Sequence, residues 1–254
     1  MTLPRPTDPA DTTSGTAVQR HSMEAMRTAV GVAGCMLPTA MLIGEPTVAG
    51  GSLHFRSSLS AYYHSSMRDV FVGFLSIIGF LLIMYLWGRF RAWDFVLSTL
   101  AGLAAFGVAL FPTSRPGQGD VEASCDNITR PIAASCTALQ ERLGEHTVAT
   151  IHAVFATAFI TLLLFISALY AYRAWRLDSQ PRMAMFHLLC TVVIALSAAW
   201  ALFGVGSHQG SLGDLTPTYL GEVGAVYGFS VSWLANGVRP RTLSPAGRKA
   251  SGAR

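Results

Sequence analysis

Five ionisable side chains stand where a chain of this kind could do chemistry: His64, Asp69, His152, His208 and Glu222. Imidazole and carboxylate are the groups that zinc and other divalent ions take from proteins. A metal-bound water loses its proton readily enough to attack an ester or amide. His64, Asp69, His152 and His208 are therefore the candidate metal ligands, with zinc as the candidate ion. Four of the five side chains also have a plainer use. Asp69 follows Ser66 by three residues, the spacing of a capping box, and its charge suits a helix N-terminus. Glu222 comes just after Thr216, Pro217 and Thr218, a helix-start signature. His152 fits a hydrogen bond to a neighbouring helix, and His64 beside Tyr62 and Tyr63 fits an interfacial belt. Arg68 beside Asp69 reads as a structural pair.

The elements that must position these groups follow from composition. The chain has 254 residues, of which 51% are hydrophobic and 13% charged, with a mean hydropathy of +0.43. A soluble domain carries about a quarter charged residues, so a water-soluble enzyme is excluded. A disordered chain, a coiled coil and a collagen-like fibre are excluded with it. A bilayer core about 30 Å thick needs about 20 apolar residues at about 1.5 Å each. Six runs meet or approach that length: 28–43, 70–87, 95–111, 148–172, 184–205 and 219–236. Backbone amides in lipid must pair within their own segment, so all six are read as helices.

The expected fold is thus all-α, a polytopic membrane bundle of six transmembrane helices over residues 28–238. A long loop spans 112–147, and irregular cytoplasmic ends cover 1–27 and 239–254. The first run is short and contains Pro38. It is read as a retained span, because Glu45 follows it and no small-residue cleavage pattern does.

Arginine and lysine near span ends are held on the cytoplasmic side. With both termini inside, thirteen of the 18 basic residues fall on that side, and only Arg56, Arg68, Arg115, Arg130 and Arg142 lie outside. The expected topology is N-in/C-in. The net charge of +4 is spread over loop ends with no basic stripe, so no nucleic-acid partner is expected. Membrane lipids are the expected partners, with a homo-oligomer or another membrane protein as a further one.

Cys35 and Cys190 fall inside apolar runs and read as small core residues. Cys125 and Cys136 share the long outer loop, where an oxidising compartment favours a disulfide between them. On the sixth run Gly221, Gly224 and Gly228 recur at helical spacing, a strip that lets two backbones approach closely. Packing within the chain is preferred there over a dimer seam.

The stretch from Tyr62 to Gly73, with Met67, Arg68, Asp69 and Val70 inside it, and the run Ala101, Gly102 to Pro112 resemble uncharacterised six-pass bacterial membrane proteins of the domain-of-unknown-function class. These are loosely similar to the DRAM and Frag membrane families. That resemblance implies a plasma-membrane (bacterial inner-membrane) location and no established activity. A weaker similarity is to the superfamily of alkaline ceramidases and progestin and adiponectin receptors. It implies an intramembrane zinc hydrolase in which Ser60 or Ser66, Asp69, His64, His152 and His208 would act. This chain departs from that family in lacking its paired histidines one turn apart and its seventh span.

Three function classes remain. The preferred one is a non-enzymatic membrane protein acting as sensor, scaffold or assembly partner. The others are a metal-dependent lipid amide or ester hydrolase and a small-solute transporter. No nucleotide-binding loop or serine-elbow motif is present.

Overall fold

The structure, a computed structural model, describes residues 9–49, 55–85, 93–115, 136–177, 179–204 and 215–237. These residues form α1 (Pro9–Ala49), a single 3₁₀ turn (Ser60–His64), α2 (Arg68–Met84) and α3 (Trp93–Leu110). The short α4 (Ala138–Leu143), α5 (Glu145–Arg176), α6 (Pro181–Gly204) and α7 (Pro217–Gly237) complete them. Each of the six apolar runs lies on a helix over most of its described residues, and the described part of the protein is all-α.

Among the described residues four segments are long and apolar enough to cross a membrane: Glu24–Val48 in α1, then α3, α5 and α6. The outer faces of α5 and α6 expose Val154, Phe165, Met185, Leu189, Leu196 and Phe203. A continuous apolar surface of this kind is stable against hydrocarbon and not against water.

The six long helices close a ring. Each packs on the next along the chain, α5 following α3 directly, and α7 returns to α1. Neighbours run antiparallel. Gly31 lies against Leu234, while Thr39, further along α1, bonds Tyr227 at 2.6 Å. Asp94 at the start of α3 pairs with Arg173 near the end of α5, and His152 near the start of α5 reaches Phe111 just past the end of α3. An antiparallel ring can close only on an even number of helices. We call the end carrying the 3₁₀ turn the upper end and the opposite one the lower end.

α1 begins at Pro9, so residues 9–27, expected to be irregular, are helical. The segment 17–27 contains Ala, Gln, Met, Glu and Arg, all good helix formers, and the Pro and Thr before it obscure them. Pro38 and Pro46 do not break the helix. Each is followed by a threonine whose hydroxyl donates to the carbonyl four residues back, Thr39 to Cys35 at 3.0 Å and Thr47 to Ile43 at 3.1 Å. Such back-bonding supports a proline-containing helix in a membrane. The loop expected at 112–147 contains α4, capped by a reciprocal Thr137–Gln140 box.

Glycine sets the closest helix contacts. A Cβ on Gly221 would meet the Ser197 carbonyl and Ala201, and one on Gly228 would stand 3.0 Å from Ile194. With Gly224 against Ser197, the strip faces α6 of the same chain. α2 and α3 approach at Gly79 and Gly102, where each glycine faces the other's carbonyl. Close backbone approach of this kind replaces the hydrophobic drive that helices lack in lipid.

Candidate functional site

At the upper end, polar side chains pin the chain segments between helices. Glu45, near the end of α1, takes a two-pronged ion pair from Arg56. That hydrogen-bonded pairing raises the Arg56 pKa against the opposing effect of burial. Thr216 donates to the Ser57 carbonyl at 2.5 Å and accepts from the Tyr219 amide at 3.1 Å, so it caps α7 while holding residue 57. Glu222, one turn further along α7, accepts the Leu59 amide at 2.6 Å, the Ser60 amide at 3.3 Å and the Ser60 hydroxyl at 3.4 Å. Its carboxylate therefore docks the 3₁₀ turn onto α7.

Across the ring, Arg115 and Glu145 join the segment after α3 to the start of α5. The guanidinium Nη2 donates to Oε2 at 3.1 Å and the Arg115 amide to Oε1 at 2.8 Å. The Arg115 side chain is only 3% exposed. His64 Nε2 bonds the Thr113 carbonyl at 2.7 Å, and His152 Nδ1 bonds the Phe111 carbonyl at 2.6 Å. A carbonyl only accepts, so the bonded nitrogen carries the proton in each ring. His152 Nε2 is thereby left with a bare lone pair, and it has no hydrogen-bond partner among the described residues. His152 as a whole is 4% exposed. Burial lowers the His64 pKa below the ordinary histidine value, with the Thr113 bond opposing.

A cavity of about 350 Å3 opens between the upper halves of α5, α6 and α7. Alanines at 149, 153, 156, 198 and 201 leave the space, and hydroxyls of Ser58, Ser60, Thr157, Thr161 and Thr218 line it with His152 and Glu222. A smaller void of about 50 Å3, walled by Leu37, Phe71, Phe159 and Val226, shares Ser60, Ala156, Ile160 and Glu222 with it. The arrangement is a polar vestibule above an apolar floor, with one carboxylate, Glu222, and one imidazole, His152, among its described lining residues.

The structure thus brings His152 and Glu222 to one cavity and sets His64 near His152. Asp69 is exposed on the first turn of α2. The capping box expected of Ser66 and Asp69 does not form: Met67 is the N-cap, with no side-chain cap bond. The expected Arg68–Asp69 pair gives way to Arg68 stacked over the Tyr63 ring, 4.7 Å from its centroid, and bonded to its hydroxyl at 3.2 Å. The aromatic face beside Arg68 offers both a π surface and an acceptor. His208 lies outside the described residues, as does Cys125 and with it the expected pairing to Cys136. Among the described residues no three His, Cys, Asp or Glu side chains are grouped to hold a metal. Cys35 and Cys190 are free thiols.

Several functional groups gave no sequence motif. The cavity hydroxyls are recognisable only as Thr157 and Thr161, four apart in an apolar run, and the Glu45–Arg56 and Arg115–Glu145 pairs join residues on different elements. The buried chain Ser167–Ser232–His187, with both contacts at 2.9 Å, lies near the lower end and was equally silent.

Residues 30–221 match the family model described as a protein of unknown function (DUF998), and the chain belongs to that family. No curated protein and no solved structure matches the chain.

Proposed function

We propose, for this member of a family without an assigned activity, a six-pass protein of the bacterial inner membrane with both termini cytoplasmic. It works by binding at its outward cavity, as a sensor or assembly component, rather than by catalysis. The observation that carries this reading is the closed antiparallel ring with a lined cavity at one end. α2 has 17 residues and α7 has 21, and in the ring each stands between two longer helices. Membership of the ring therefore argues that they span where their neighbours span.

Charge supports the orientation. Thirteen of the 18 basic residues belong to segments that this orientation puts on the cytoplasmic side, the lower end. Trp93 and Trp175, at that end, are 73% and 61% exposed, as suits indoles at a headgroup boundary.

Single-cysteine labelling in right-side-out cells tests the reading. A membrane-impermeant maleimide is expected to label Gln118→Cys and to spare Ser14→Cys and Ser251→Cys until the membrane is opened. In the wild-type protein Cys125 and Cys136 are expected to react from outside only after reduction. Ser14→Cys and Ser251→Cys reacting from opposite faces would overturn the topology and the outward placement of the cavity together.

A further inference from the structure

We infer that the cavity between α5, α6 and α7 binds a primary ammonium group, held by the Glu222 carboxylate and the hydroxyls that line the cavity with it. Binding itself follows from the cavity's chemistry; only the route by which an amine arrives rests on the topology proposed above.

The cavity offers acceptors. His152 stands in the wall with its Nδ1 bonded to the Phe111 carbonyl at 2.6 Å, so it brings no positive charge to the site in its neutral form. Glu222 Oε2 is occupied by two amides, whereas Oε1 has one long hydroxyl contact at 3.4 Å and keeps acceptor capacity. The hydroxyls of Thr157, Thr161 and Thr218 adapt to either role. No Lys or Arg stands among the described lining residues, so an anion finds no counter-charge. A neutral polyol would leave the carboxylate uncompensated in an alanine-walled site, which is costly. One imidazole and one carboxylate fall short of the four ligands that zinc takes. An ammonium group has three N–H donors and one positive charge, which suit a carboxylate and neighbouring hydroxyls at once.

Size and access agree. A volume of about 350 Å3 lies in the range of small-molecule sites, about 300–1,000 Å3. Ala153, Thr157, Thr161 and Leu202 both line the cavity and are exposed on the outer surfaces of α5 and α6. The cavity is therefore open sideways between these helices, on a flank that meets lipid in a bilayer. The ammonium can come from an ethanolamine lipid headgroup entering from that flank or from a soluble amine entering from above.

The test uses the full-length protein purified in a maltoside detergent and titrated with ethanolamine hydrochloride, followed by calorimetry and by thermal unfolding. Saturable binding is expected, with none for ethylene glycol, which has the same size and no charge. Glu222→Gln keeps an acceptor for the Leu59 amide and is expected to weaken ethanolamine binding at least tenfold. Ala198→Leu fills the cavity without touching a polar group and is expected to abolish it, with its own melting profile as the check on folding. In phosphatidylglycerol nanodiscs ethanolamine should bind. Doping with phosphatidylethanolamine removes that binding if the lipid is the source and leaves it intact if a soluble amine is. Absence of ethanolamine binding in the parent, binding unchanged in both variants, or saturation by zinc in its place would each overturn the inference. A reversed topology would alter none of these titrations, so the two failures are separable.

Discussion

Replacing Glu145 by Gln should cost more than its place in a surface-seeming loop suggests. The carboxylate and the Arg115 guanidinium are 3.1 Å apart, with side chains 14% and 3% exposed, so water screens them poorly. At an effective dielectric of about 20, two unit charges at that separation attract by about 5 kcal/mol. Desolvation of both groups offsets part of this, and breaking a buried pair from one side typically costs about 3–5 kcal/mol. Glutamine keeps an oxygen for the Arg115 amide, which bonds Oε1 at 2.8 Å, so the lower end of that range, about 3 kcal/mol, is expected. For a chain of this size that corresponds to a fall in melting temperature of about 6–12 °C. The assay is thermal unfolding of detergent-purified protein followed by gel filtration, for Glu145→Gln, Arg115→Met and the double variant. The double variant should be less destabilised than the sum of the singles by about 2 kcal/mol, since each single leaves the other charge behind. A fall below about 2 °C, the size expected of an exposed pair, would refute the reasoning. Additivity of the two single variants would refute it as well.

Gly221→Leu should destabilise the bundle by about 1–3 kcal/mol, because the added atoms meet the Ser197 carbonyl and the Ala201 backbone nitrogen, which cannot swing aside. Gly73→Ala, where a Cβ meets nothing within 4 Å, should instead be neutral or stabilising by up to about 1 kcal/mol through helix propensity; the same melts compare the two. His64 gives a pH dependence of definite sign. Its folded pKa is lowered by burial, so the unfolded chain takes up the proton first. The contribution of the neutral ring is complete above about pH 6.5 and is lost as the pH falls from there toward the folded value. Between pH 7.5 and 5.5 the wild-type melting temperature should therefore drop more than that of His64→Gln, and equal drops would contradict the assignment.

The helices were legible because their signal is the apolar run itself, and a run of that length has few alternatives in lipid. The six runs mark the six long helices within a few residues, except at the start of α1, where good helix formers follow a polar leader. The site was legible in part. His152 and Glu222 stand out as ionisable groups in apolar surroundings, yet Asp69 and His64 stand out for the same reason and take other roles. What separates them is which way each helix turns, and that is set by contacts such as Gly221 on Ser197 that a single sequence does not display. The vestibule depends on alanines, which read as ordinary helix filler until three helices converge on them. The ion pairs at the upper end were invisible for a related reason. Glu45 with Arg56 and Arg115 with Glu145 join elements whose proximity follows from the turn geometry and not from spacing along the chain.

The contact between α1 and α7 has a consequence for biosynthesis. Helices emerge from the ribosome in order, and each new one finds its predecessor already in place, but α1 waits for its second neighbour until the last helix is made. During that interval Gly31 and Gly34 present a notch that only Leu234 and Ser230 later fill. A nascent chain stopped before α7 is an open arc whose first helix rests on α2 alone, and the polar vestibule, which borrows Glu222 and Thr218 from that final helix, comes into being only when the circle shuts.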